Sequence, residues 1–195
     1  LLNSISIIMP SPRICLISGE AGAGKSALIA EFARRTQAAH RDVVFALAEC
    51  NAQTGQSDSY LPWRQVIDLL TGGVQERSHN TLTRENAQRL TRLVNVAYGF
   101  FVEFAPDVMG SFIPGGVLVG RAARLAVTKL DVVKTLEQRI AARAGGAPMP
   151  ELDQARIYQQ YAAALRGLVQ AAPLVIVLDD LQWSDEGSFA LLDEI

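Results

Sequence analysis

Eight consecutive residues, Gly19-Glu20-Ala21-Gly22-Ala23-Gly24-Lys25-Ser26, place three closely spaced glycines before a lysine and a hydroxyl. Glycine lacks a Cβ, so it adopts positive φ freely and lets the backbone approach an anion closely. Ala21 and Ala23 are nearly as small, and Glu20 completes the turn. Lys25 can reach phosphate oxygens as a point charge. Ser26 supplies a hydroxyl that can ligate Mg²⁺. A helix beginning at Lys25 would add unpaired N–H groups and a positive dipole end. The chemistry these types and spacing fit is the holding of a triphosphate and its metal. The plain alternative is a glycine-rich turn that binds nothing.

A second set lies far along the chain. Leu174-Val175-Ile176-Val177-Leu178 is an unbroken apolar run rich in β-branching, and Asp179-Asp180 follows it. Such a run fits a parallel strand buried on both faces. Acids at the end of a buried strand are costly unless something positive meets them. In an open α/β sheet, that edge is where ligands bind. A magnesium carried by a triphosphate answers the charge. Asp179 would hold it, directly or through water, opposite Ser26. Asp180 would orient and polarise an attacking water. The competing reading is an ordinary helix N-cap after a strand, where Asp is favoured.

The elements that must position these residues are readable. Residues 13–18 form an apolar run before the glycines, and an amphipathic stretch runs from Lys25 to about Gln37. Strand, loop and helix are the context that the spacing G-x-x-x-x-G-K-[ST] of a phosphate-binding loop requires. Residues 43–48 read as a second buried strand and 51–59 as a polar loop. A short helix is expected over about 62–70, with Val66, Leu69 and Leu70 inward and Gly72-Gly73 closing it. Leu90, Leu93, Val94, Ala97, Phe101 and Phe104 give a helical period over about 83–104, which Pro106 ends. Residues 109–116 read as a loop, 117–143 as a second long helix and 145–150 as a flexible connector. Ile157, Tyr161, Leu165 and Leu168 mark a helix over 152–171, terminated by Pro173.

The expected fold is therefore α/β: a P-loop NTPase three-layer sandwich with a parallel sheet and an inserted helical region. The division is a phosphate-loop half at 13–80, a helical insertion at 81–150, and a helix with the acidic strand and the start of the next helix at 151–195.

Composition narrows the function classes. The chain has 195 residues, 49% hydrophobic and 19% charged, which suits one globular domain. A net charge of −2, with no basic helix or stripe, gives no footprint for nucleic acid or an anionic membrane. Cys15 and Cys50 are too few for a disulfide framework and lack zinc spacing. Both lie in apolar runs and read as reduced core residues of a cytoplasmic protein. His40 and His79 have no Cys or His partner nearby and read as surface residues. Residues 94–119 are apolar, but Glu103, Pro106, Asp107 and Pro114 interrupt them, so a packed helical hairpin is favoured over a membrane contact. The opening nine residues lack a basic flank and are a poor signal peptide. The missing initiator Met and the unfinished helix pattern at 191–195 lead us to expect a fragment.

Taken together, residues 19–26 and the string Asp179-Asp180-Leu181-Gln182-Trp183-Ser184-Asp185 resemble the AAA+-related signal-transduction ATPases called STAND. More narrowly, they resemble the Orc1-like AAA ATPase domain of large bacterial regulators, whose pattern is D-D-x-[QH]-W-[AS]-D. Cys50-Asn51 and Tyr60-Leu61-Pro62 also look like the segment after that family's second strand. The resemblance runs from about Arg13 to the end. It implies an ATP-driven switch with ATP or ADP and Mg²⁺ as ligands, and self-association or intramolecular sensor and effector domains as partners. By the same resemblance Lys25 and Ser26 bind phosphate and metal, Asp179 binds metal, and Asp180 is the catalytic base. Trp183 is expected to pack under its loop, and Arg34 and Arg35 to be solvated.

Two departures stand out. The family's G-R-E segment before the first strand does not occur in residues 1–12. The family also inserts a strand between the phosphate-loop strand and the Asp179 strand, and here that strand, the sensors, the helical lid and any arginine finger are expected after Ile195. A sheet with a missing middle follows as an expectation, poorly stable on its own. Two other readings stay open: a nucleotide-binding scaffold without turnover, and a small-molecule kinase using the same loop.

Overall fold

In the computed structural model, which describes residues 13–50, 59–73, 84–113, 117, 120–121 and 154–195, two apolar runs form the sheet. Strand β1 (Val44–Glu49) and strand β2 (Leu174–Asp179) pair in parallel, from Val44 beside Leu174 to Glu49 beside Asp179. The Val44 N–H donates to the Pro173 carbonyl at 2.9 Å, and the Cys50 N–H to the Asp179 carbonyl at 3.0 Å. These bonds fix the register at both ends.

Side chains alternate across a strand, and each face takes a different cover. On one face, Phe45, Val175 and Val177 meet Phe32 and Ala33 of helix α1 (Lys25–Ala39). The Phe32 and Phe45 rings meet edge-on, with centroids 5.9 Å apart. On the other, Val44, Ala46, Ala48, Leu174, Ile176 and Leu178 face the main core. That core is built from α2 (Leu61–Leu70), α3 (Arg84–Phe104), α4 (Pro106–Phe112), α5 (Gln154–Val169) and α6 (Glu186–Glu194).

The helices form where apolar spacing demands. On α3, Leu90, Leu93, Val94, Ala97 and Phe101 are buried as expected, whereas Phe104 is exposed. On α5, Ile157, Tyr161, Leu165 and Leu168 are buried. The Tyr161 hydroxyl donates to the Trp63 carbonyl at 2.9 Å, and both rings are fully buried. Each large side chain buried this way contributes roughly 1.5–3 kcal/mol.

Four expectations are corrected. Residues 109–112 belong to α4 rather than to a loop. Pro106 pre-sets the first turn. Asp107 then fixes the helix to α5, accepting from Gln160 and pairing with Arg156 at 2.6 Å, while Val108, Met109 and Phe112 turn inward. Residues 13–18 carry no strand. A strand exists through its ladder, no described segment runs beside them, and Ile14, Leu16 and Ile17 are 61%, 75% and 45% exposed. Cys15, in the same segment, is exposed rather than a core residue. Finally, β2 is half-buried along its length, because β1 is its only described neighbour. The described sheet has two strands, an incomplete version of the expected one.

The far edge of β1 is closed by side chains. Asn86 accepts from the Phe45 N–H at 2.9 Å and donates to the Phe45 carbonyl at 2.8 Å, as a neighbouring strand would. Gln65 does the same for Glu49, at 3.0 Å in each direction. Two amides four residues apart along the strand thus end the sheet at β1.

The helix expected over 117–143 lies outside the described residues except for Val117, Gly120 and Arg121; Arg121 pairs with Asp68 and donates to Thr71. The connector at 145–150, the loop at 51–58, and His79 also lie outside them. Among the described residues, no helix is long and apolar enough to cross a membrane.

Candidate functional site

The phosphate-type loop takes the backbone that its glycines permit. Gly22 and Gly24 have φ of +80° and +87°. A Cβ added at either would meet no atom within 4 Å, so it is conformation and not crowding that calls for glycine here. The Ala23 N–H closes a turn on the Glu20 carbonyl at 3.2 Å. Gly24 then caps α1 with no side-chain hydrogen bond, and no acid lies in the helix's first turn. The first amides of α1 are left facing the loop's mouth, the arrangement that favours an anion.

The Lys25 ammonium spans that mouth. Its Nζ donates to the carbonyls of Gly19 at 2.9 Å and Glu20 at 3.0 Å. These neutral acceptors hold the charge close to the amides without neutralising it.

Ser26 joins the two distant motifs. Its Oγ lies 3.5 Å from Oδ2 of Asp179, across 153 residues of sequence. Asp179 is the last residue of β2, so the strand itself delivers the carboxylate to this point. Asp180 follows in the left-handed conformation, φ 54° and ψ 41°. Its N–H donates to Asp179 Oδ1 at 2.9 Å, and its own Oδ1 accepts from Gln182 Nε2 at 3.0 Å.

Between these groups lies an open cavity of about 670 Å³, within the range of small-molecule sites. Of the candidates, Gly19, Ala21, Gly22, Gly24, Lys25, Ser26, Asp179 and Asp180 line it. Glu20 and Ala23 do not; they act through the backbone, Glu20 accepting from Lys25 and Ala23 closing the turn. Gln182 also lines the cavity and was not singled out from sequence. It stands in the string that follows β2, but no role was attached to it there, because only the turn after Asp180 brings it back to the carboxylate. Among the described residues, no group of three or more His, Cys, Asp or Glu side chains could hold a metal ion. Ser26 and Asp179 could offer a metal two oxygen ligands, a donor type that suits Mg²⁺ carried on phosphates.

The whole sequence, residues 1–195, matches the family model of the AAA ATPase domain. The chain belongs to this family. No curated protein and no solved structure matches it. Membership in the AAA ATPase domain family carries the P-loop α/β fold, of which the parallel pair β1–β2 and its six described helices are a part.

Within this AAA domain, the string after β2 behaves differently from expectation at one residue. Trp183 is 57% exposed rather than packed under its loop by the described residues. The single 3₁₀ turn Leu181–Trp183, started by left-handed Asp180, carries the indole to the surface. Anchoring falls instead to Asp185, whose role sequence reasoning missed. Its Oδ1 accepts from the Ser188 N–H at 2.9 Å, and its Oδ2 from the Ser188 hydroxyl at 2.6 Å and the Tyr60 N–H at 3.1 Å. It therefore caps α6 and ties it to the start of α2. An Asp, a favoured N-cap type, directly before the stretch 186–194 was the available signal.

Arg34 and Arg35 are exposed and face Glu31 rather than the cavity, at 2.7 and 2.6 Å. Hydrogen bonds from the two guanidiniums lower the Glu31 carboxyl to about 2. His40 is exposed. Cys50 is buried beside the site, and burial above all pushes its thiol up, with the acids Asp185, Asp180 and Asp179 adding to the effect.

Proposed function

We propose that this AAA domain binds ATP with Mg²⁺, hydrolyses it, and serves as a nucleotide-controlled switch in a larger cytoplasmic regulatory protein. The observation that carries the reading is the approach of Ser26 to Asp179 at 3.5 Å, beside Lys25, on one cavity.

In this reading Lys25 exchanges its two carbonyl partners for β- and γ-phosphate oxygens, and the loop amides of residues 19–26 surround the same phosphates. Ser26 and Asp179 hold the metal. Bound there, Mg²⁺ would neutralise charge on the phosphates. Asp180 accepts a proton from water as the water oxygen bonds to the γ-phosphorus. The bond from that phosphorus to the β–γ bridging oxygen breaks, ADP and phosphate leave, and the proton passes from Asp180 to solvent. ATP holds one state of the switch and ADP the other. Sensor and effector functions, and any self-association, fall to other parts of the protein. This segment itself contacts neither nucleic acid nor membrane.

One feature supports a second reading, a nucleotide-binding scaffold with little turnover. Among the described residues lining the cavity, Lys25 is the one cation and there is no arginine. The same feature weighs against a small-molecule kinase, which needs several arginines over its phosphates; phosphoryl transfer to an acceptor other than water would restore it.

The test is a pair of variants in the intact protein. Lys25→Ala should abolish ATP binding, and normal affinity would remove the assigned role. Asp180→Asn should bind ATP normally and turn over at least 100-fold more slowly, the usual weight of a general base. Wild-type ATP binding without measurable turnover would favour the scaffold.

A further inference from the structure

We infer that Gln182 is a positioning residue for ATP hydrolysis, holding the Asp180 carboxylate in the orientation in which it accepts the proton from water. The inference rests on the reading of Asp180 as base.

Asp180 is the one residue of the site whose backbone is in the left-handed region without being glycine. Non-glycine residues keep that conformation only where neighbours over-determine it. Two contacts do so here. Asp179 Oδ1 takes the Asp180 N–H at 2.9 Å and fixes the peptide plane. Gln182 Nε2 donates to Asp180 Oδ1 at 3.0 Å and fixes the side chain. Gln182 lies inside the 3₁₀ turn that begins after Asp180, and its side chain is long enough to reach back to the carboxylate two residues earlier.

The consequence is a division of labour between the two oxygens of one carboxylate. Oδ1 is engaged by an amide N–H. No described side chain engages Oδ2, which is left to accept from water. An exposed aspartate without the amide would rotate about χ1 and χ2 and present either oxygen in many directions. Gln182 selects one arrangement and lies on the wall of the same cavity. It has no charge and no acidic or basic function of its own, so its effect must pass through Asp180. That distinguishes it from a residue that touches the reacting atoms.

The donor, rather than the size, is what matters. Gln182→Leu keeps the bulk and removes the N–H. Gln182→Glu keeps the length, removes the N–H and sets a like charge against Asp180. Gln182→His keeps an N–H donor at comparable reach.

The experiment measures ATP affinity, kcat and KM in the intact protein for wild type, Gln182→Leu, Gln182→Glu, Gln182→His, Asp180→Asn, and the double variant Asp180→Asn with Gln182→Leu. Gln182→Leu should lower kcat about tenfold, the weight of one hydrogen bond to a charged group, with ATP affinity and KM unchanged. Gln182→Glu should lose at least as much, and Gln182→His should stay within about threefold of wild type. In the Asp180→Asn background, Gln182→Leu should change nothing further. Unchanged ATP affinity also reports that the exposed substitutions leave the fold intact. A normal kcat for Gln182→Leu beside a slow Asp180→Asn would overturn the inference and leave the base standing. So would weakened ATP binding by Gln182→Leu, or an additive loss in the double variant. A normal kcat for Asp180→Asn, or no turnover in the wild type, would remove the base and the inference with it.

Discussion

The sheet has two edges, and the chain treats them differently. The outer edge of β1 is finished: Asn86 and Gln65 bind both backbone groups of Phe45 and Glu49, and five of its six residues are buried. Along the outer edge of β2 no described strand pairs: all six residues are half-exposed, and the segment 13–18 that leads to the phosphate-type loop is exposed, with no described segment beside it. The stable half of the domain is therefore β1 with α2, α3 and α5. The chemical half, residues 19–26, meets the sheet at the Ser26–Asp179 contact on β2 and through the small face of α1. A site assembled across such a seam can be tightened by a ligand that grips both sides, which is what a nucleotide switch needs.

The contrast can be broken by substitution in the intact protein. Phe101 is fully buried in the main core, and Phe101→Ala should cost about 3–5 kcal/mol. Asn86→Ala should follow at about 3 kcal/mol, because it strands a buried N–H and carbonyl of Phe45 and removes one hydrogen bond from Gln37. Gln65→Ala removes the same kind of pairing at an exposed site, where water replaces it, and should cost about 1 kcal/mol or less. Leu16→Ser, on the open side, should lie within about 0.5 kcal/mol of wild type. Urea denaturation measures all four. A Leu16→Ser loss as large as that of Asn86→Ala would erase the distinction between the two edges.

Alkali probes the closed side alone. Tyr158 is pushed up to about 12, by burial first and then by the neighbouring Tyr60, and burial alone pushes Tyr161 well up. A tyrosine whose folded value exceeds its unfolded value of about 10 stabilises the fold fully below that pH. Above it the unfolded chain releases protons that the folded chain keeps, so stability falls as pH rises from about 10 through 12. Tyr158→Phe should flatten part of that fall while leaving stability near pH 7 within about 1 kcal/mol. An unchanged slope in this variant would show that Tyr158 does not carry the titration.

Much of this was legible in the sequence, for identifiable reasons. The runs 43–48 and 174–178 announced both strands because buried parallel strands are apolar throughout. The spacing of Leu90, Leu93, Ala97 and Phe101 announced α3 because one helical face must be covered. Glycines before Lys25-Ser26, and two acids after an apolar run, announced that distant residues would meet, since charge at the end of a buried strand asks for a partner. What stayed hidden depends on contacts. Residues 13–18 look like a strand by composition, but a ladder needs a neighbour. Pro106 reads as a helix end and is also a helix start, which only Asp107 and its partners on α5 decide. Trp183 looks like core and lies outside, because a left-handed aspartate three residues earlier redirects the chain. Gln65 and Asn86 are ordinary polar residues in sequence, and Gln182 stands in a legible string without a legible role; what each does comes from the backbone or carboxylate it reaches.

The most direct test of the central claim is backbone amide exchange of residues 19–26 with and without ATP and Mg²⁺, in wild type and Lys25→Ala. The account predicts strong slowing across residues 19–26 and around Asp179-Asp180 in the wild type, no change in β1, and no slowing in Lys25→Ala. Exchange that is unaltered at residues 19–26 in the wild type, or slowed equally in Lys25→Ala, would contradict it.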